Sequence, residues 1–147
     1  RGAHEKDTFG AQMRAFAAML PDDTAIRNVA AHIESLPGSV AAPTVTGDVS
    51  HGKELFGNCV ACHGANGQGI WALNAPRLAQ MSDWYLERQL NNFRAGIRGA
   101  HRQDYYGRQM QFMANVLADE HAIDDLVSYI NTLKPEDNQV LASRRGF

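Results

Sequence analysis

Lysine is scarce in this chain: Lys6, Lys53 and Lys134 alone accompany the arginines, the formal charge is -2 and the pI is about 6.3. That balance, with no basic tract, excludes a polyanion-binding surface and with it a nucleic-acid partner. The longest apolar run falls far short of the ~20 residues that a membrane-spanning helix requires, and no secretory leader pattern is visible. Stretches alternating apolar and polar at period two are missing, so essentially no sheet is expected. Cysteine is limited to Cys59 and Cys62, and without a third a zinc site lacks the soft ligands it needs. What remains is a chain of 147 residues, about the length of one ordinary domain, with no compositional sign of disorder.

The two cysteines stand in Cys59-Val60-Ala61-Cys62-His63, and Cys-x-x-Cys-His is the attachment signal of a c-type haem. Two intervening residues let both sulfurs reach the two vinyl groups along one porphyrin edge, and His63 brings an imidazole beneath the iron from the same turn. A thioredoxin-like dithiol or half of a zinc site would use the cysteines but leave His63 without a role. One covalent haem c per chain is therefore expected, with thioethers to Cys59 and Cys62 and His63 as an axial iron ligand. Covalent haem attachment is typical of proteins matured outside the cytoplasm, which points to a bacterial periplasm or an equivalent space.

Residues 1–36 align without a gap onto residues 98–133, at a shift of 97. Arg1-Gly2-Ala3-His4 falls on Arg98-Gly99-Ala100-His101, Asp7 on Asp104, Gly10 on Gly107, Gln12-Met13 on Gln109-Met110, Asp22 on Asp119, and Leu36 on Leu133. Of these 36 positions 15 are identical, where unrelated sequences share about two or three, so the match is an internal repeat. The chain divides into the C-terminal half of a first repeat (1–36), a linker with two prolines and no helical period (37–46), a complete repeat (47–136) and a tail (137–147). The first repeat's own haem motif would lie upstream of Arg1, so the chain reads as a fragment or as one part of a longer protein.

The complete repeat reads as helical. A helix over 49–58 carries Leu55 and Phe56 into the haem motif, and residues 64–81, with Gly64, Gly67, Gly69 and Pro76, form a loop. Ser82 is the expected cap of a helix bearing Tyr85, Leu86, Gln89, Leu90 and Phe93 that stops near Gly96; its Trp84 suits a core as well as a functional role. Asp119 caps the last helix, where Ile123, Leu126, Val127, Ile130 and Leu133 recur at three- and four-residue steps before Pro135. Residues 22–36 repeat the design with Asp22 as cap, Ile26, Val29, Ala30, Ile33 and Leu36 on one face, and Pro37-Gly38 as stop.

The iron's sixth ligand decides between electron transfer and chemistry at the metal. A methionine thioether favours ferrous iron and raises the potential; an empty position would admit oxygen species. Met81, Met110, Met113, His101 and His121 are the candidates. Met110 follows a Gly-bearing turn and is kept in the other repeat as Met13, whereas Met113 answers to Phe16. Phe and Met exchange freely as packing residues, but only Met donates to iron, so Met110 is the expected ligand and Met113 a haem-pocket residue. Met81 is better suited to filling the core. His101, kept as His4, leaves bis-histidine ligation as a rival. His32, His51 and His121 are assigned solvated or packing roles, and Arg94, Arg98 and Arg102 are candidate propionate partners as well as members of a solvated face.

Residues 50–133 resemble class I cytochromes c. The likeness rests on Gly52 and Phe56, on Cys59, Cys62 and His63, on Ala75-Pro76-Arg77-Leu78, on Tyr85-Leu86, Gln89-Leu90 and Phe93-Arg94, and on Gln109-Met110 leading into the helix from Leu117 to Leu133. It is greatest to tandem two-haem periplasmic cytochromes and to modules fused to the copper subunit of haem-copper oxidases. The resemblance implies an all-α fold around a covalent haem, a Pro76 carbonyl that orients His63 through its ring N–H, and packing of Phe56 and Gly52 on Tyr129. It also implies an electron carrier with redox-protein partners, and a quinol-oxidising complex and a terminal oxidase as its donor and acceptor. A haem peroxidase is the enzyme alternative, and an oxidase entry port the modular one. Met13 is a candidate axial ligand of a second haem not encoded here. Three arrangements are open: Met13 serves a haem on a missing or separate segment, the half-repeat packs as a haemless lobe, or it is swapped onto another chain; its apolar face calls for a partner.

Overall fold

The computed structural model describes residues 2–37 and 41–134. Arg1, the Gly38 half of the first helix stop, the Pro135 stop and the tail 137–147 lie outside the described residues.

The core is built on α7 (Glu120–Thr132). Asp119 is extended and its side chain accepts the Ala122 N–H at 2.9 Å, satisfying one of the donors a helix start leaves open. The three- and four-residue spacing then puts Ile123, Leu126, Val127 and Ile130 on one face, all at most 2 % exposed. Each such side chain contributes about 1.5–3 kcal/mol by leaving water. Across this face lies α3 (Val49–Phe56), capped by Asp48. Gly52 lets the helices close: a Cβ there would meet the Asp125 carbonyl and come within 2.9 Å of the Tyr129 Cβ. One turn on, the buried Phe56 ring sits 5.4 Å from that of Tyr129, tilted by 56°.

A short α4 (Val60–His63) follows, then a loop holding a 3-10 turn at Trp71–Leu73. The third core helix, α5 (Asp83–Arg94), packs on α7 and on α6 (Tyr105–Ala114). Its start differs from expectation: Ser82 makes no capping bond, and the neighbouring Asp83 turns inward instead. Its carboxylate accepts the N–H groups of Val45 and Trp84, each at 2.7 Å, and bonds to Thr44. Burial would raise Asp83, but these donors outweigh it and hold the carboxyl below its usual range. Thr44 and Val45, assigned to the linker by composition, are thereby fastened to α5. Among the described residues there is no strand, only an isolated bridge between Ile70 and Ala75.

Helix α6 corrects the placing of Met110 after a turn. Gly107 lies inside the helix, its N–H bonded to the Asp104 cap at 2.8 Å, and Met110 sits in the middle of the element. The N-terminal part carries α1 (Thr8–Ala17) and α2 (Asp23–Ser35), offset by 97 residues from α6 and α7 at both ends. Asp7 and Asp22 cap them, accepting from Gly10 at 2.9 Å and Ala25 at 2.8 Å. Arg88 of α5 lies between the rings of Phe9 on α1 and Trp84, 5.1 and 5.0 Å from their centroids. Yet α2 buries no residue: Ile33 is 61 % exposed, where Ile130 of α7 is 2 % exposed.

Where α3 begins, His51 Nδ1 lies 2.8 Å from Asp125 Oδ2, while Asp125 Oδ1 accepts the Asp48 N–H at 2.6 Å. The Asp125 bond raises the His51 pKa, and the same bond lowers that of Asp125. Protonated His51 is favoured by folding, so its contribution is complete below the ordinary imidazole value of about 6.5 and disappears as pH rises through the raised value. The Asp125 contribution is present above the ordinary carboxylate range and disappears as pH falls through the lowered value. The pair therefore stabilises the α3–α7 contact most in weak acid. Proton NMR of the His51 ring should give a midpoint above 6.5, which Asp125→Asn should return toward it; a midpoint indifferent to that change refutes the pairing.

Candidate haem site

After Phe56 the chain turns sharply. The Cys59 N–H bonds the Phe56 carbonyl at 2.8 Å, and the Cys59 carbonyl accepts from Cys62 at 3.2 Å and from His63 at 2.9 Å. One tight turn thus gathers Cys59, half-buried against the core, Cys62, exposed, and His63, 5 % exposed. No disulfide joins the two cysteines. Burial, then the neighbouring Cys62, pushes the Cys59 thiol up to about 11. A disulfide-exchange Cys-x-x-Cys needs the opposite shift, toward a thiolate. Among the described residues no cluster of three or more His, Cys, Asp or Glu side chains is arranged to hold a bare metal ion.

His63 is fixed from its far side. Its Nδ1 lies 2.8 Å from the Pro76 carbonyl, which requires an N–H there and leaves Nε2 as the unprotonated donor. Burial lowers the His63 pKa against the opposing pull of the Pro76 bond. The loop that delivers Pro76 folds back on itself: Gly69 N–H bonds the His63 carbonyl at 2.8 Å, and Leu78 N–H bonds Gly67 at 2.8 Å. Gly69, at φ +83°, is needed there twice over, because a Cβ would come within 2.6 Å of the Arg77 nitrogen. These features fit a haem held by two thioethers with His63 Nε2 toward iron.

The other candidates scatter. Met110 and Met113 are half-buried on α6, and Met81 packs against the core. His101 is exposed, and its Nδ1 accepts the Gln103 N–H at 3.2 Å; His121 and His32 are exposed, and so is Met13, at 59 %. Arg94 donates to the Ala118 carbonyl at 3.3 Å, and Arg102 is exposed. Arg98 donates to Gln89 at 3.0 Å with its guanidinium 4.5 Å from the Phe93 centroid. Trp84 is 48 % exposed and lies edge-on to Tyr85 rather than in the core. Sequence reasoning missed Asp83, whose bonds to Thr44 and Val45 join residues far apart in the chain.

Residues 49–134 match the family model for cytochrome c. Cytochrome c-554(548) of Halomonas halodenitrificans is 36 % identical over 86 residues, 58 % of this chain and 96 % of that protein. The Cbb3-type cytochrome c oxidase subunit FixP of Sinorhizobium medicae is 35 % identical over 80 residues, 54 % of this chain and 26 % of that one. Among solved structures, reduced recombinant cytochrome c4 from Pseudomonas stutzeri matches with a TM-score of 0.61 and 28 % identity, covering 78 % of this chain and 62 % of that chain. The chain thus spans nearly all of one relative but about a quarter of another. An all-helical frame among the described residues, a buried imidazole bonded to the Pro76 carbonyl beside paired cysteines and a family match over more than half of the length converge: the chain belongs to the cytochrome c family, with covalent haem c as its cofactor and electron transfer as its work.

Proposed function

We propose that residues 47–136 form a haem domain with His63 and Met110 as axial ligands and thioethers at Cys59 and Cys62, which passes single electrons in the periplasm from a quinol-oxidising complex toward a terminal acceptor such as an oxidase. Residues 1–36 are, on this proposal, the C-terminal half of a first domain, joined by the linker 37–46, with Met13 available to a second haem. The repeat of helix boundaries at an offset of 97 and the likeness to cytochrome c4 support that organisation.

The observation that carries the proposal is His63, buried and bonded through Nδ1 to Pro76 at the end of the cysteine turn. Bound haem supplies an iron that accepts and releases one electron. The chain's part is to keep surroundings unchanged between the two states: Pro76 fixes the imidazole plane, Phe56 and Tyr129 anchor the helix that leads into the cysteines, and α6 presents Met110. The match to an oxidase subunit favours a second reading, the electron-entry module of such a complex.

Mass spectrometry of the matured chain under denaturing conditions should show one covalently held haem, and stopped-flow mixing with a small one-electron reductant should give a single phase with no change in spin state. Haem extractable by acidified solvent, or a high-spin ferric spectrum that shifts with peroxide, would overturn the proposal.

A further inference from the structure

Helix α6 has little apolar anchorage: Gly107 and Ala114 are its buried residues, while Phe112 is 78 % exposed. A polar strap holds it instead. The Gln111 side-chain amide donates to the Arg98 carbonyl at 2.8 Å, and a Cβ on Gly99, the next residue, would come within 2.6 Å of the Gly107 backbone. Arg98 is itself anchored on α5: its guanidinium donates to Gln89, which is 8 % exposed, at 3.0 Å, and lies over the Phe93 ring. The Asn92 carbonyl accepts the N–H groups of both Ile97 and Arg98, at 2.8 and 3.0 Å. An unbroken chain of bonds therefore runs from α5 through the 96–99 turn to the residue beside Met110.

We propose that Gln111 is a positioning residue for Met110: by tying α6 to the Arg98 carbonyl it sets how firmly the thioether stays on iron against competing ligands. The inference rests on the assignment of Met110 as axial ligand. A bond on the neighbouring residue acts through the rigid helix, because Met110 and Gln111 share one turn and cannot move independently. The half-repeat carries Arg14 at the place of Gln111, a side chain that also has N–H donors.

The test uses the matured holoprotein, with imidazole as competing ligand and the ferric near-infrared sulfur-to-iron band as readout. Gln111→Leu should bind imidazole roughly three- to tenfold more tightly and lose the band at lower pH, the scale of one net hydrogen bond. Gln111→Arg, which keeps donors, should stay within about twofold of the parent on the same scale. Should the Leu variant fail to accumulate, Gln111→Glu, of the same shape without the donor, replaces it. Donorless variants that match the parent in imidazole affinity overturn the inference, whatever happens to their melting temperature, and so does an Arg variant as weakened as the Leu one. A parent protein without the band removes the Met110 assignment and this inference together; a parent with the band and unaffected variants removes this inference alone.

Discussion

Met110→Ala is expected to abolish the ferric sulfur-to-iron band, open the sixth coordination position to cyanide and imidazole, and lower the reduction potential by on the order of 0.2 V, a fraction of the ~0.8 V that axial ligation spans. The argument is chemical. Thioether sulfur stabilises ferrous iron more than ferric, so its loss favours the oxidised state. Met113 is the control, since it lies three residues further along α6 and on the same side of the helix. Its counterpart Phe16 in the first repeat marks the position as one for volume, so Met113→Phe should keep the band and shift the potential little. If the two variants behave the other way round, the ligand is Met113. If neither removes the band, the sulfur comes from elsewhere, and the half-buried Met81 is next.

The parts of the fold legible in the sequence are those in which a local pattern coincides with burial. Helix α7 shows a full apolar stripe and an aspartate cap, and every residue of that stripe is buried. The cysteine turn is legible because its chemistry is confined to five consecutive residues. Helices α1 and α6 escaped notice because their faces bury little beyond Gly10 in one, and Gly107 and Ala114 in the other. A glycine inside a helix looks like a turn until its capping aspartate is seen to bond it. The clasp of Asp83 on Thr44 and Val45 spans 39 and 38 positions, and no periodicity encodes a contact of that range. The strap through Gln111 is hidden for the same reason: it joins a side chain to a carbonyl 13 residues away.

Truncating the same position in the two repeats should separate their fates. Ile130→Ala removes a side chain that is 2 % exposed in the α7 face and should cost about 2–5 kcal/mol, the usual range for emptying a packed aliphatic site. Ile33→Ala alters the equivalent residue of α2, which is 61 % exposed, and should cost under about 0.5 kcal/mol in the 147-residue chain, as a surface change does. Denaturant titration of the two holoproteins gives both values. The contrast carries the domain proposal, because Ile26, Val29, Ile33 and Leu36 repeat the α7 stripe at half or near-half exposure, a face too apolar to stay in water when a partner is at hand. In a longer protein that supplies the first repeat's own counterparts of α3 and α5, the cost of Ile33→Ala should rise into the Ile130→Ala range. A large cost in the short chain, rising with protein concentration, would instead mean that a second copy covers the face. A negligible cost in the longer protein would leave the half-repeat as a lobe that packs on nothing, and the two-domain organisation would fall with it.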